Sequence, residues 1–192
     1  MLPLLKTPGF EERAMPLSVA AWHEMIRSNL TPARAELLRG VIVEKMPKSI
    51  LHIKLAARML RILMTSLVSG WWVRQEAPLT LADSEPEPDL SVVAGDEGDY
   101  QNHPTTAALV VEVSVSTLAE DRALATIYAE AGVQEYWIIN ASAHCIEVYQ
   151  APKEGRFTET EVIERGAALE SIALPGLVID TAALFADLPT QG

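Results

Sequence analysis

Residues 107–114, AALVVEVS, constrain the fold more than any other stretch. An almost unbroken run of apolar and β-branched side chains suits a strand covered on both faces, so it belongs at the centre of a sheet. Glu112 interrupts that character. A carboxylate placed among Leu and Val costs several kcal/mol, roughly, unless a cation or hydrogen bonds compensate. A second acid, Asp89, opens another apolar run, PDLSVV over residues 88–93. Two acids on two neighbouring strands imply a shared partner, most simply a divalent metal held by oxygen ligands.

The rest of the chain supplies a frame for this pair. Residues 1–17 read as an N-terminal arm broken by Pro3, Pro8, Gly9 and Pro16. Ser18 is placed to cap a short helix over 20–27. AELLR and VIVEKM flank Gly40 as a β-hairpin. Residues 49–68 predict the clearest helix. Leu51, Leu55, Met59, Ile62 and Leu63 form its apolar stripe, and Lys54, Arg58 and Arg61 recur on another face. Strands are expected over 71–81, 90–94, 107–114, 135–140 and 144–150. Edge strands are expected over 157–165 and 169–172. A helix over 119–131 ends at Gly132, and Asp180 can cap a last short helix through Leu184. Mixed strands with two main helices argue for one α/β domain. Its expected span is residues 18–187, with 188–192 as a C-terminal tail.

Bulk properties narrow the function classes. Hydrophobic residues make up 49% and charged residues 21% of 192, the balance of a folded chain. Apolar stretches are interrupted before the roughly 20 residues a membrane span needs. The single cysteine, Cys145, can form no internal disulfide and reads as a small core residue. With no basic, apolar leader at the N-terminus, the cytoplasm is the expected compartment. The net charge of −11 opposes nucleic-acid binding in general. Residues 34–74 run against it, with eight cations to two acids, or +6, leaving −17 elsewhere. That basic region could draw a polyanion such as DNA to one face, or be a solvated helix face beside an acidic body. Trp71–Trp72 and Tyr136–Trp137 could stack bases, though their positions in strands favour core or dimer packing. A homodimer is expected from apolar edges and the tryptophan-rich strand.

Four polar residues carry the candidate chemistry: Glu36, His52, Asp89 and Glu112. Carboxylates on separate strands, a metal, and a nearby His or Lys to handle protons are the parts of metal-assisted phosphodiester hydrolysis. Taken singly, Glu36 also reads as a solvated strand end, His52 as a satisfied helix histidine and Asp89 as a turn cap.

Several stretches together carry a resemblance: DSEPEPDLSVV (83–93), GDEGDY and the following HP (95–104), LVVEVSVSTLAEDR (109–122) and IYAEAGVQEYWIIN (127–140). With ELLRGVIVEKMP (36–47) and His52 upstream, the chain resembles the Uma family of "putative restriction endonucleases", part of the PD-(D/E)XK nuclease superfamily. The resemblance spans about residues 18–187. It implies a restriction-endonuclease-like fold, a central mixed β-sheet flanked by helices, and magnesium-dependent nuclease chemistry, with manganese as a substitute. It places Asp89 and Glu112 on the two metal-binding acids, and Glu36 and His52 on two further positions of the site pattern. Lys54, Arg58 and Arg61 are the candidate DNA contacts.

One position departs from the family pattern. The superfamily lysine usually follows two residues after the second acid, where this chain has Ser114. The Uma family carries it on the next helix, four residues before a tyrosine. Counting back from Tyr128 gives Leu124, and a one-residue slip gives Ala125. Neither carries charge. Arg122 is nearby, but its guanidinium stays protonated and is a poor base. The expectation is therefore a metal-dependent DNA endonuclease impaired at the lysine position. A degenerate member binding nucleic acid or protein without cutting is the alternative. A hydrolase of another phosphate substrate is a third reading.

Overall fold

The computed structural model describes residue 9 and residues 13–188. Most of the expected arm and residues 189–192 of the expected tail lie outside them. Helix α1 is Val19–Arg27, with the Ser18 side chain accepting from the Ala21 N–H as the capping pattern requires. Strands β1 (Ala35–Leu38) and β2 (Val41–Glu44) form the expected hairpin. Gly40 adopts a φ of 73° in its turn. A Cβ there would collide with Pro16 and the Leu17 backbone, so glycine is required for the chain to lie against the hairpin.

Helix α2, Ile50–Ser66, is capped by Ser49, whose Oγ accepts from the His52 N–H. Strands β3 (Trp71–Gln75), β4 (Leu90–Ala94), β5 (Leu109–Ser114), β6 (Glu135–Asn140), β7 (Cys145–Lys153) and β8 (Arg156–Glu164) form one sheet in that order. Neighbours pair antiparallel except β5 and β6, which are parallel and joined by helix α3, Leu118–Glu130. A parallel pair needs such a crossover, and the apolar run of β5 lies inside the sheet as expected.

The two faces of the sheet bury different clusters. Leu109, Val111 and Val113 point to one face, with Leu55, Met59 and Leu63 of α2. Val110, Ile138 and Tyr136 point to the other, with Ile127 and Tyr128 of α3. The period of two along β5 therefore sends Glu112 to the α3 side, together with Val110. Tyr136 and Trp137 are fully buried, so their role is packing. Cys145 is likewise buried.

Three details differ from the sequence reading. Strand β3 stops at Gln75 instead of continuing to Leu81, because Glu76 turns to a φ of 46° and Pro78 follows. Strand β9 (Ala168–Glu170) leaves the main sheet and pairs with β10, Val178–Asp180, which was not anticipated. Asp180 does cap the last helix, α4 (Thr181–Leu184). No helix among the described residues is long and apolar enough to cross a membrane.

Candidate active site

Leu90 pairs with Val111 in the antiparallel β4–β5 ladder, so Asp89, one residue earlier, lies opposite Glu112. The Asp89 N–H donates to Glu112 Oε2 at 3.1 Å, and the Val113 N–H donates to Asp89 Oδ2 at 2.8 Å. The two acids are thus locked together through each other's backbone. Both are nearly inaccessible, and both line a cleft of about 600 Å³ between the β1–β2 hairpin, the start of α2 and helix α3.

The two carboxylates differ in their partners. Asp89 Oδ1 accepts from Lys48 Nζ at 2.7 Å, and Oδ2 stands 2.9 Å from His52 Nε2. Burial pushes the Asp89 carboxyl up, but His52 and Lys48 together outweigh it and hold the group below the ordinary aspartate range. Among the described residues, Glu112 has the Tyr128 hydroxyl, donating to Oε1 at 2.9 Å, and the Asp89 N–H. Its burial, then the charges of Asp89 and Asp121, push it well above the ordinary glutamate range. Asp89 is thus matched by two basic partners, while Glu112 faces acidic neighbours.

The walls add further groups. Glu36, on β1, accepts the Glu87 N–H at 3.1 Å, and burial raises its carboxyl. Lys45 donates to the Glu87 carbonyl at 2.7 Å and to its carboxylate at 3.0 Å. On α3, Asp121 accepts from the Thr117 hydroxyl at 2.8 Å, and burial raises it too. Leu124 lies in the same wall and packs against the cluster on the α3 face of the sheet.

The residues fit a hard, well-hydrated cation. Among the described residues no three His, Cys, Asp or Glu side chains converge as a preformed metal cage. Magnesium needs no such cage: it keeps several waters and takes one or two carboxylates plus substrate oxygens. Asp89 and Glu112 are the two carboxylates of the cleft that could supply that donor set. The His52 ring is half-buried, and its Nδ1 atom is shut off from solvent with no hydrogen-bond partner among the described residues, so the ring retains capacity for a further contact.

All four residues singled out in the sequence line this cleft. Lys54, Arg58 and Arg61 do not. Lys54 and Arg61 are exposed on α2. Arg58 donates to the carbonyls of Leu184 and Ala186, tying α2 to the end of α4. Arg122 turns to Glu147, with Nε and Nη2 at 2.8 and 2.7 Å. Three residues of the site escaped the sequence reading as site residues: Lys48, Asp121 and Tyr128. Tyr128 served there only to locate the lysine position, and Lys48 only as one charge of the basic region. Their contacts with the acids cross between separate elements and leave no periodic signal.

Comparison with known proteins agrees with this architecture. The crystal structure described as a putative nuclease belonging to DUF820, from Anabaena variabilis ATCC 29413, superposes with a TM-score of 0.71 at 17% identity. The match covers 89% of this chain and 98% of that one, and it establishes a shared fold. A search of curated proteins finds no match. The model of the family Uma2, "Putative restriction endonuclease", matches residues 21–182, which include Glu36, His52, Asp89 and Glu112. The chain belongs to the Uma2 family.

Proposed function

We propose that this protein is a metal-dependent DNA endonuclease whose acid pair, Asp89 and Glu112, holds magnesium or manganese. One observation carries the reading: Glu112 is buried against Asp89, and no cation among the described residues pairs with it. A protein does not keep such a group without a use for it when apolar residues would pack there at lower cost. The bound metal would polarise a phosphate oxygen and lower the pKa of a coordinated water. Around it, the chain orients and protonates. Lys48, His52 and the Val113 N–H fix the Asp89 carboxylate. Tyr128 fixes Glu112. His52 Nε2 faces Asp89 Oδ2, and Glu36, raised by burial, is a carboxyl able to accept a proton at the cleft wall. Lys54 and Arg61, exposed on α2, are available for sequence-independent contacts with the DNA backbone.

Nicking of supercoiled plasmid with magnesium or manganese tests the reading. Cutting that a chelator stops and Asp89→Asn abolishes supports it, and no cutting by the wild type with either metal refutes it. A second reading, binding without cleavage, draws on Leu124 in the cleft wall where the family pattern places a lysine. It expects salt-sensitive DNA binding, weakened by substituting Lys54 and Arg61, with no cutting under any metal.

A further inference from the structure

Leu124 leaves the α3 wall of the cleft without a cation, while the opposite wall holds one. Lys48 lies in the turn between β2 and α2, directly before the Ser49 cap. It is held in place from both ends. The following residue is fixed as the N-cap of a helix, and the ammonium is bonded to Asp89 Oδ1 at 2.7 Å and Glu76 Oε1 at 3.1 Å. Its side chain is 18% exposed. Lys48 lines the same cleft as Glu112, His52 and Leu124. Of the other cations in that lining, Lys45 is engaged by Glu87, and Arg39 by Asp83 and Glu130. Among the described lysines and arginines of the lining, Lys48 alone is bonded to one of the acid pair, where it joins His52.

We infer that Lys48 is the cation of this active site, reaching a substrate phosphate oxygen from the hairpin–α2 wall in place of the lysine that α3 lacks. The inference rests on the nuclease reading for its chemistry, but the phosphate contact can be measured without turnover. Lysine acts as a point charge here and stays protonated throughout, so no proton leaves it. Its grip on Asp89 is suited to this role. The ammonium bridges Asp89 and Glu76, so if the acid pair held a divalent cation, Glu76 would still keep Lys48 at the cleft.

The test combines binding and cleavage on the full chain. In calcium, the affinity of wild type, Lys48→Met and Lys48→Arg for a short DNA duplex is measured against salt. The exposed Lys153→Met, outside the cleft lining, is the control. Loss of one phosphate contact lowers the slope of log K against log salt by about 0.9. We expect that drop for Lys48→Met, little change for Lys48→Arg, and none for Lys153→Met. In magnesium, Lys48→Met should slow plasmid nicking by about 100- to 1000-fold. Adding Leu124→Lys should restore at least about a tenth of the wild-type rate, since it returns a charge to the opposite wall of the same cleft.

If wild type cuts and Lys48→Met cuts equally well, the inference is overturned and the nuclease reading stands. If wild type does not cut, the nuclease reading falls and the slope alone decides. A drop confined to Lys48→Met keeps the phosphate contact, and an unchanged slope or no binding removes it. Melting curves separate misfolding from loss of charge, and Lys48→Arg must keep binding even if Lys48→Met is unstable.

Discussion

Replacing Glu112 by Gln should make the metal-free protein more stable and blind to magnesium. The Glu112 carboxyl is fully enclosed and pushed up by burial and by the charges of Asp89 and Asp121. Its folded-state pKa therefore lies above its unfolded one. Such a group stabilises the fold fully below the unfolded value, and that stability is lost as pH rises through the folded value, at about 1.4 kcal/mol per pH unit for one proton. Well above that range the metal-free wild type carries the whole penalty. Gln keeps the shape. Its amide oxygen can accept the Asp89 N–H, and its NH2 can donate to the Tyr128 oxygen once that hydroxyl rotates. Removing an unpaired buried charge while retaining both contacts should gain about 1–3 kcal/mol. In a chain of 192 residues that is a rise in Tm of roughly 2–12 °C. Magnesium at ten times its Kd should add about 1.4 kcal/mol to the wild type and nothing to Glu112→Gln. Thermal melts at alkaline pH, in chelator and in magnesium, measure both effects. A variant less stable than wild type in chelator, or one still stabilised by magnesium, would refute the reasoning.

Other perturbations separate the site from its scaffold. Asp89→Asn takes the carboxylate from His52 and leaves Lys48 with Glu76 alone, and should cost about 2–3 kcal/mol in urea denaturation at neutral pH. Because the Asp89 carboxyl is held down, its contribution is present at neutral pH and vanishes as pH falls through the folded value, so wild type and variant should converge in acid. Tyr128→Phe removes the one side-chain donor to Glu112 among the described residues, and should cost about 1–3 kcal/mol at low pH and weaken magnesium binding, read by calorimetry. Glu135→Ala, remote from the cleft, should destabilise by about 3 kcal/mol without altering metal affinity. Buried Glu135 accepts from Ser171, Gln150 and the N–H groups of Ile172 and Ala173, and so pins the segment before β10 to the sheet.

The sequence carried the framework because local chemistry did. Ser18 and Asp180 each cap the helix their positions suggest, and the apolar run of β5 lies inside the sheet. Asp89 and Glu112 stood out because an acid within an apolar strand has no inexpensive structural explanation. Lys48 was legible only as charge. Its partner lies 41 residues away, and nothing local distinguishes a lysine aimed into a cleft from one aimed at water. Arg58 shows the converse: the spacing along α2 groups it with Lys54 and Arg61, yet its guanidinium serves two carbonyls near the end of α4. The ribbon of β9 and β10 was half visible, since a three-residue strand is too short to show alternation.

The central claim is that Asp89 and Glu112 share a divalent cation. Anomalous diffraction from crystals soaked in manganese tests it most directly. We expect a peak within bonding reach of both carboxylates, lost in Glu112→Gln crystals, with Lys48 drawn off Asp89 Oδ1. A cleft without a peak, or manganese bound elsewhere on the protein alone, would contradict it.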